Sequence, residues 1–505
     1  MKEKTKVEAI CQGLLSIPVK RIRPFTNLVM ACSSHCAAKS VVELTSSPHF
    51  HYHYSNISKV SEYLTKKEED YEKTLKIFLK YFLDACSVKP QFEEVLGNYY
   101  VLGQDMCMVD KTHSACLAGR VYGHTSNKLD QGIVAGYKVC FTHLHLNKGW
   151  SLPIDMAIVS PTDEHKSDAT LLAVRSLKTL LEDKELPFGD TYCINNADSG
   201  YGNAKFLSPL YQYEKLINIV RFRGGMKVYK AFSGAQIDKQ KPKIYGEVAY
   251  LISQTSTKTF KIKDKKTKEI SCITKEQISI FDTAFDDFSE EQIVLGNGRK
   301  GIKKVWSWKN YLLRTKNGNS MQDKPFDIVK VEIWNEDNTE KIFDRDMFLS
   351  VNGQGKNKLT SLEVQQHYRT RFDTEGCYRF SKQNLFLDSF QTPDKQHYLN
   401  YLLVILCTWW LLYAAKDEVK LACPVWQKYL PIHQIAEQAI EKQEKLNLTP
   451  SQVRKGMENL FHTFDKTPYL PQKYEKGLGR KAGAKMTKRA RRIPYKKPKK
   501  GVKKE

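Results

Sequence analysis

The chain has 505 residues, 41% of them hydrophobic, which is enough length and apolar content for several domains with their own cores. Its 80 Lys and Arg outnumber its 56 Asp and Glu, and the formal charge of +24 indicates a polyanionic partner, with nucleic acid as the first candidate. The 12 cysteines are scattered without a CxxC pair, which argues against a disulfide framework or a cysteine zinc site and predicts reduced thiols in the cytoplasm.

Residues 1–95 are predicted to be helical, because apolar residues recur every three or four positions in residues 28–44 and 65–85. The segment between these two stretches resembles the turn and second helix of a helix-turn-helix, so this region is the candidate N-terminal DNA-binding domain. No sustained apolar stretch precedes a small-residue cleavage site near the start, so secretion is not expected.

Three histidines alternate within that segment. They are His49, His51 and His53, on a basic and aromatic stretch. A metal site would require a carboxylate or cysteine partner, and the neighbouring sequence supplies none. Solvated histidines on a loop or on a DNA-facing surface are the expected arrangement.

Residues 96–224 predict the first part of an α/β domain. A β-branched and aromatic stretch ends at Asp110, two more strands follow with a turn at residues 147–149, and an amphipathic helix comes next. A fourth strand ends at Asp198, and a helix then leads to a fifth strand over residues 216–222. Three meandering strands, a helix, a strand, a helix and a strand are the order of an RNase H-like mixed sheet.

Asp110 and Asp198 are the candidate catalytic residues of this region, because such folds gather functional side chains where strands end. A single strand-end Asp is more commonly a helix cap or a turn residue. Asp105 and Asp190 are the alternatives. The first lies five residues before Asp110, an odd separation that turns it to the other face of a regular strand, and the second precedes its strand.

Residues 225–360 are predicted to form a β-rich insertion domain, since their segments alternate and are rich in β-branched and aromatic residues. An insertion is needed because 176 residues separate Asp198 from Glu375, far more than a compact core uses. Trp306 and Trp308 lie two residues apart, on one face of a predicted strand, and are candidates for contact with a nucleic-acid partner. Trp334 is a third candidate. Packing within the sheet is an equally good explanation for them.

Residues 361–418 are predicted to complete the α/β domain. Four residues within them, Tyr368, Arg371, Glu375 and Lys382, fall on one narrow stripe of a helix that turns by about 100° per residue. A carboxylate flanked by two cations suits a place where a metal ion and a phosphate chain meet. The simpler alternative is a surface helix stabilised by an Arg–Glu pair one turn apart.

The apolar stretch Tyr401–Ala415 is shorter than the ~20 residues that span a bilayer and ends in charged residues, so we expect a core helix and no membrane contact. Residues 419–472 are predicted to be helical. Residues 473–505 hold 15 Lys and Arg against 2 Glu and predict a basic tail that stays disordered until it meets DNA. Within it the candidate DNA contacts are Lys488, Arg489, Arg491 and Arg492.

The spacing Tyr-x2-Arg-x3-Glu-x6-Lys resembles the Tyr-Arg-Glu-Lys motif of bacterial insertion-sequence transposases with an Asp-Asp-Glu triad. The segments VDKTHSA and NADSGYGN are similar to the settings of the two catalytic aspartates in that group, and a β-rich insertion occurs at a matching place. The resemblance covers about residues 98–415 and implies an RNase H-like catalytic domain.

The resemblance also implies roles for individual residues. Asp110, Asp198 and Glu375 would hold Mg²⁺, with Mn²⁺ as a substitute, in the carboxylate cluster that two-metal phosphodiester cleavage requires. Tyr368 and Arg371 would hold phosphates beside the scissile bond, and Lys382 would grip the terminal DNA. An insertion-domain tryptophan would stack on a base drawn out of the helix.

The function expected from this resemblance is a DNA transposase that cleaves the ends of its element and joins the freed 3′ ends to target DNA. Its partners would be double-stranded DNA carrying terminal inverted repeats, target DNA and a second copy of the chain in the synaptic complex. The expected location is the bacterial cytoplasm, at the nucleoid. The alternatives are an RNase H-like repair or junction endonuclease, and a non-catalytic DNA-binding protein derived from a transposase.

Overall fold

The structure is a computed structural model that describes residues 4–111, 117, 119–124, 132–146, 149–235, 243–263, 270–295, 298–315, 321–343, 346–420 and 447–465. Within these residues the helices are α1 (Lys6–Leu15), α2 (Ile22–Ser34), α3 (Ser55–Tyr63), α4 (Glu68–Ala85), α5 (Ala169–Glu182), α6 (Ala204–Leu210), α7 (Ser361–Arg369), α8 (Arg371–Asn384), α9 (Lys395–Ala415) and α10 (Pro450–Phe461). The strands are β1 (Gln91–Glu93), β2 (Gly97–Asp110), β3 (Val121–His124), β4 (Ile133–Leu146), β5 (Trp150–Ile158), β6 (Tyr192–Ala197), β7 (Leu216–Phe222), β8 (Lys227–Ala231), β9 (Tyr245–Tyr250), β10 (Ser256–Lys263), β11 (Ile270–Gln277), β12 (Asp287–Val294), β13 (Lys300–Leu312), β14 (Phe326–Asn335) and β15 (Met347–Asn352).

The chain divides into two compact units, and each is built from separate stretches of sequence. The first unit comprises Met1–Lys89, Met106–Leu172 and Asp373–Glu505, and the second comprises Pro90–Asp105 and Ala173–Phe372. The elements β2, α5 and α8 each continue from one unit into the other. Residues 1–89 thus share a compact unit with two later stretches of the chain.

The first unit is organised around α9, which packs against α1, α2, α3, α4, α10 and β5. The helix begins at Asp394, whose side chain accepts a hydrogen bond from the backbone N–H of His397 at 2.9 Å. Polar groups within α9 are satisfied locally, since the Asn400 amide donates to the carbonyls of Ser61 and Thr65. A helix that is apolar on all sides requires partners on all sides, and the N-terminal helices supply most of them.

The prediction that Tyr401–Ala415 is a core helix is confirmed, although the helix is longer than the apolar stretch. In the described part of the chain, α9 is the one helix long and apolar enough to cross a bilayer, and 94% of its most apolar 18-residue window is buried inside the protein. Trp409 and Trp410 hydrogen-bond to Ser381 and to the Pro153 carbonyl at 2.9 and 3.0 Å. These bonds fix the helix against protein groups.

In the first unit, β4 pairs antiparallel with β3 along its first residues and with β5 along the rest of its length. The end of β2 approaches the start of β4, where the Lys111 N–H donates to the Ala135 carbonyl at 2.9 Å. Gly136 is needed at this approach, because a Cβ there would lie 1.9 Å from the Val109 carbonyl oxygen.

The second unit contains a mixed sheet with the strand order β2-β6-β7-β15-β14-β13-β8-β9. The pairs β2–β6 and β6–β7 are parallel, and the strands from β15 onward pair antiparallel. The short β1 pairs with β2, β12 pairs with β13, and β10 and β11 form a two-stranded sheet of their own. The predicted mixed α/β class is therefore confirmed.

The predicted insertion, residues 225–360, is rich in strands but is not a compact unit of its own. Its strands β13, β14 and β15 extend the sheet that begins with β2, β6 and β7. One hydrophobic core, which includes Ile194, Ile219, Val305 and Val329, runs under both parts and is covered by Val364 and Tyr368 of α7. The sequence pattern identified the strands but did not show that they continue an existing sheet.

Candidate functional site

Asp198 stands directly after the parallel strand β6, in a tight turn that fixes its carboxylate. Its Oδ1 accepts a hydrogen bond from the Gly200 N–H at 2.8 Å, and its carbonyl accepts one from Tyr201. The next helix, α6, begins at Asn203, whose side chain caps the N–H of Phe206 at 3.2 Å. The carboxylate is thus half-buried and held by the backbone that follows it.

Asp105 reaches the same level as Asp198 on the neighbouring strand. The parallel register pairs Gln104 of β2 with Ala197 of β6, so the next residue of each strand is an aspartate. Neighbouring strands lie about 4.8 Å apart, and residues at one level of a parallel pair point to the same face. The structure therefore brings together Asp198 and the aspartate that sequence reasoning ranked second.

Asp110 lies five residues further along β2, about 17 Å beyond Asp105 at the normal rise of a strand. It belongs to the first unit, whereas Asp105 and Asp198 belong to the second. Residues 112–116, which follow it in the VDKTHSA segment, lie outside the described residues.

The prediction of a single helix through the four-residue motif is wrong, because the helix is interrupted at Thr370. Tyr368 lies in the last turn of α7, and Arg371 is the first residue of α8. The unit boundary also falls inside the motif, after Phe372, so Tyr368 and Arg371 belong to the second unit and Glu375 and Lys382 to the first. The spacing alone did not reveal this interruption, because Thr370 keeps helical backbone angles.

The end of α7 is anchored to the sheet beside Asp198. The amide of Asn196, which is fully buried in β6, donates to the His367 carbonyl at 2.7 Å and lies 3.1 Å from the Thr370 hydroxyl. The same helix begins with a reciprocal cap between Thr360 and Glu363. Both ends of α7 are therefore fixed, and Tyr368 and Arg371 are held in place with them.

Tyr368 and Arg371 form a charged and aromatic group with the two aspartates of the second unit. Arg371 Nη1 lies 3.6 Å from Asp105 Oδ2, and the guanidinium carbon lies 5.9 Å from the centre of the Tyr368 ring. Burial raises the pKa of the Tyr368 hydroxyl, the Arg371 and Arg221 guanidinium groups oppose that shift, and the Asp198 carboxylate adds to it. The pKa effects place Arg371, Arg221 and Asp198 within electrostatic range of one phenol.

Tyr368 is 1% exposed, and its ring packs in the hydrophobic core of the second unit. Loss of a buried aromatic ring costs about 3–5 kcal/mol, which makes the ring structural whatever the hydroxyl does. Arg221, which sequence reasoning did not single out, comes from β7 beside the Asp198 turn. A Cβ at Gly202 would lie 2.8 Å from its carbonyl oxygen, so the turn and the strand approach closely.

Glu375 and Lys382, the two remaining residues of the motif, lie on α8. Glu375 is exposed. Lys382 is partly buried, donates to the Met108 carbonyl at 3.1 Å and lies 3.3 Å from Asp388 Oδ2. Its ammonium is thus held by protein groups of the first unit in this structure.

Asp110 lies in a second mixed-charge group of the first unit, with Lys111, Lys382 and Asp388. Burial lowers the pKa of Lys111 to about 8, against the opposing effect of Asp388 and Asp110. Burial also raises the pKa of Asp388, which the two lysines oppose and Asp110 reinforces. The Lys111 ammonium donates to the Phe390 carbonyl and lies 4.8 Å from the centre of the Tyr398 ring.

The candidate tryptophans differ in accessibility. Trp308 is fully buried, with its ring edge-on to Phe281 at 5.2 Å, so a DNA base does not reach it in this conformation. Trp306 is half-buried and lies 5.2 Å from the exposed Phe288. Trp334 is half-buried and donates to Glu332 at 3.0 Å. The tail residues Lys488, Arg489, Arg491 and Arg492 lie outside the described residues.

The donor chemistry of Asp105 and Asp198 suits Mg²⁺, which prefers carboxylate oxygens. Across the described ranges, no group of three or more His, Cys, Asp or Glu side chains is arranged to hold a metal ion. Asp105 and Asp198 supply carboxylate oxygens of the kind that Mg²⁺ takes, but in the described residues they belong to no such group.

No model of a protein family matches this chain, and the comparison with curated proteins finds no similar sequence.

Proposed function

We propose that the chain is a DNA transposase that cuts the ends of its element and joins them to target DNA by metal-dependent phosphodiester chemistry. The observation that carries this proposal is the group at the end of β6, where Asp198 lies at the level of Asp105, and Asp198, Arg371 and Arg221 all lie within electrostatic range of Tyr368. Carboxylates next to guanidinium groups are the combination that a metal-bound phosphate requires.

The topology of each unit supports an RNase H-like core in this proposal. In the second unit, β2, β6 and β7 are parallel neighbours, with α6 between the last two in sequence. In the first unit, β4 and β5 form an antiparallel pair, and the end of β2 approaches β4. Parallel strands of this kind place functional side chains at their carboxyl ends, where Asp198 stands, and Asp105 lies at the level of Asp198 within the longer strand β2.

Asp198 and Asp105 are the proposed metal ligands of the second unit, and Asp110 is the alternative to Asp105. Glu375 is proposed as the third carboxylate, from its place in the four-residue motif. A bound Mg²⁺ would lower the pKa of a water or 3′-OH nucleophile and stabilise the leaving oxygen, and Mn²⁺ would substitute.

Arg371 is proposed to hold a phosphate of the DNA backbone. A guanidinium has five donors in a planar fork, a geometry that matches two oxygens of one phosphate. Tyr368 would orient Arg371 by packing under it. Lys382 would contact terminal DNA only after exchanging its present bond to the Met108 carbonyl for a phosphate.

The excess of positive charge supports a DNA partner, since residues 473–505 contribute 15 Lys and Arg against 2 Glu to the total of +24. This charge favours DNA over a small phosphorylated substrate but does not choose among DNA enzymes. A second copy of the chain is expected in the synaptic complex, because the two ends of an element must be cut and joined together.

The test is cleavage by the purified full chain of DNA carrying the terminal inverted repeats that flank its own gene, with Mg²⁺ present. Nicks at the element ends, followed by joining of the 3′ ends to a target plasmid, are expected. Cleavage of branched junctions without end specificity would instead indicate a repair endonuclease. Specific binding to the ends without cleavage would indicate a DNA-binding protein derived from a transposase.

A further inference from the structure

Three tyrosines of β8 and β9 lie together on one face of the sheet in the second unit. Lys227 of β8 stands opposite Tyr250 of β9, and Tyr229 stands opposite Val248. Residues two apart in a strand, and residues directly opposite on its partner, point to the same face, so Lys227, Tyr229 and Tyr250 are neighbours. Tyr245 lies beyond a register shift in this pair and joins them, since its ring centre is 5.2 Å from that of Tyr229.

Positively charged side chains alternate with these rings. Lys227 Nζ lies 5.2 Å from the ring centre of Tyr229 and 5.7 Å from that of Tyr250, so it contacts both. At the other side, the guanidinium carbon of Arg314 lies 5.6 Å from the ring centre of Tyr245. The five residues form a row, which we call the tyrosine strip, in the order Arg314, Tyr245, Tyr229, Lys227 and Tyr250.

The tyrosine strip is accessible on one side and supported by the sheet on the other. Lys227 and Arg314 are exposed, and the three tyrosines are partly exposed. Val228 and Ala249, which alternate with residues of the strip, are 0% and 1% exposed. The opposite face of β8 and β9 therefore packs into the protein, and part of each tyrosine ring is left available to a partner.

The positive charge of the tyrosine strip lacks the acidic partners found elsewhere in the same sheet. On β13, for example, Lys300 Nζ lies 3.7 Å from Glu336 Oε1. In the described part of the chain, Lys227 and Arg314 form no ion pair, and their contacts are with aromatic rings. The strands β8 and β9 contain one acidic residue, Glu247, against two lysines. Charge complementarity therefore favours an anionic partner at this surface.

We propose that the tyrosine strip binds single-stranded DNA, with bases stacked on the tyrosine rings and phosphates held by Lys227 and Arg314. Unpaired bases have open faces that stack on aromatic rings, and cations beside the rings neutralise the backbone. The bases of a duplex are already stacked on one another, so a duplex gains only the contacts to phosphates. Three rings suit a segment of about two or three nucleotides.

The choice of DNA over RNA rests on the proposed function, in which DNA strands are cut and exchanged and parts of them are unpaired. None of the candidate tryptophans belongs to β8 or β9, so the tyrosine strip is a surface separate from them.

The contacts within the tyrosine strip are ones that a single strand can exchange. A cation over an exposed ring is held weakly, and a phosphate offers an ammonium or guanidinium a full opposite charge. When Lys227 turns to a phosphate, the faces of Tyr229 and Tyr250 become available to bases. Lys230 differs, because its ammonium already donates to the Lys309 carbonyl at 3.0 Å.

The test is binding of short oligonucleotides by the purified full chain, without metal and without element ends. Fluorescence anisotropy compares labelled oligothymidine with a duplex of the same length. Because the basic residues 473–505 should attract both ligands, the measured quantity is the ratio of single-strand to duplex affinity. Tyr229→Ala should weaken single-strand binding by about 5- to 150-fold, the loss of one stacked base, and leave duplex binding within about 2-fold. Tyr229→Phe keeps the ring and should bind like wild type.

Phe92→Ala is the matched control for loss of an aromatic ring. Phe92 is 74% exposed and lies on β1, which pairs with β2 at the other end of the strand order. This variant should leave the affinity ratio unchanged. The melting temperature checks that each variant folds.

The salt dependence of binding tests the role of the cations. Lys227→Ala should reduce the slope of log affinity against log salt concentration for the single strand by about 0.7, the value for one phosphate contact. Lys300→Ala removes the same charge from a lysine that is paired with Glu336, so it should reduce the slope less.

A second measurement locates the contact on the chain. Oligothymidine carrying 5-iodouracil is bound and irradiated, because this base crosslinks efficiently to an aromatic side chain on which it is stacked. Peptide mass spectrometry should find the crosslinks at Tyr229, Tyr245 or Tyr250.

The proposal is overturned by any of the following results. An unchanged affinity ratio in a folded Tyr229→Ala protein, or an equal loss in Tyr229→Phe, would show that this ring does not stack on a base. Crosslinks confined to other peptides would place the single strand elsewhere. Tighter binding of oligouridine RNA, with the same dependence on Tyr229, would assign the surface to RNA. These measurements use neither element ends nor metal, so failure of the tyrosine strip and failure of the cleavage test are distinguishable.

Discussion

The two units each hold a pair of carboxylates and a pair of cations near β2, and they arrange these charges differently. In the first unit, the ammonium groups of Lys111 and Lys382 donate to the backbone carbonyls of Phe390 and Met108. In the second unit, the cation is a guanidinium next to a carboxylate, with Arg371 Nη1 3.6 Å from Asp105 Oδ2.

This difference separates a structural charge group from a candidate phosphate site. An ammonium that already holds a buried carbonyl must leave it unsatisfied in order to take a phosphate, which costs about 1–3 kcal/mol. A guanidinium presents five donors in a planar fork, so it can bind a phosphate through two of them while it keeps a carboxylate contact. The two groups contain the same number of positive and negative charges, so the contacts of their cations decide how each group is interpreted.

The largest expected effect comes from the carboxylates. Asp198→Asn and Asp105→Asn should each reduce end cleavage by at least about 100-fold, because loss of a metal ligand misplaces the reacting groups. Asp110→Asn should stay within about 10-fold of wild type. Single-turnover cleavage on pre-bound end DNA measures all three variants.

The opposite ranking, with Asp110→Asn inactive and Asp105→Asn active, would assign the first catalytic aspartate to the first unit and restore the choice made from sequence. Binding of end DNA by each variant is the control, since removal of a ligand should leave affinity for the ends largely intact.

Arg371→Ala should lower the cleavage rate by roughly 100-fold if the guanidinium positions the scissile phosphate. Arg379→Ala is the matched control, because Arg379 is an exposed residue of the same helix and should have little effect. An ion pair with Asp105 that served the fold alone would change stability and not the cleavage step, so a folded Arg371→Ala protein with near-normal activity would remove the phosphate role.

Lys111 should make stability depend on pH in the alkaline range. Its pKa is lowered from 10.5 to about 8, so between those values the unfolded chain binds more protons and the free energy of unfolding rises with pH. Below pH 8 the cost of burying the charge is fully present. Lys111→Met should reduce this slope by up to about 1.4 kcal/mol per pH unit, the value for one proton. Urea unfolding at a series of pH values measures the slope. An unchanged slope would show that Lys111 titrates normally.

Lys382→Met should destabilise the first unit by about 1 kcal/mol, a modest value because its ion pair with Asp388 is about one-third exposed. The melting temperature measures this change. In the same variant the cleavage rate at saturating protein should fall less than in Arg371→Ala. A stable protein with a much larger cleavage defect would instead support the contact with terminal DNA that the sequence motif predicts.

The smallest expected effect is on the pH dependence of stability in the second unit, where the pKa shifts of Glu93 and His367 act in opposite directions. A hydrogen bond with Glu363 raises the pKa of Glu93 to about 7, and burial lowers the pKa of His367 to about 4. The raised pKa of Glu93 lowers the free energy of unfolding as the pH rises from 4.5 to 7. The lowered pKa of His367 lowers the free energy of unfolding as the pH falls from 6.5 to 4. Glu93→Gln should uncover the His367 trend, so that the variant loses more stability than wild type on acidification. Parallel pH dependences of the free energy of unfolding for the two proteins would show that the pKa of Glu93 is not raised in the folded chain.

The sequence predicted most of what depends on local pattern. The strand preceding Asp198, the buried helix around Trp409 and the β-rich composition of residues 225–360 follow from periodicity and residue type, and the structure contains each of them. These features were predictable because burial imposes its period on the residues themselves.

Pairing between distant strands was not predictable in the same way. The choice between Asp105 and Asp110 depends on which residue of β2 faces Ala197, and a parallel register is set by contacts 93 positions apart in the sequence. The continuation of the sheet from β7 into β15 has the same origin. The contact of His49 Nδ1 with Asp465 Oδ2, at 2.9 Å, leaves no local signal at either residue.

The placement of α9 has a consequence for synthesis on the ribosome. The helix packs against α1–α4, which are made first, but also against α10, which ends at Phe461. About 46 further residues must therefore be translated after Ala415 before the last apolar side of α9 is covered, which takes several seconds at normal elongation rates. The second unit, which ends at Phe372, is complete well before that point. During this interval one apolar side of α9 stays uncovered, so the need for chaperone protection should be greatest between synthesis of α9 and synthesis of α10.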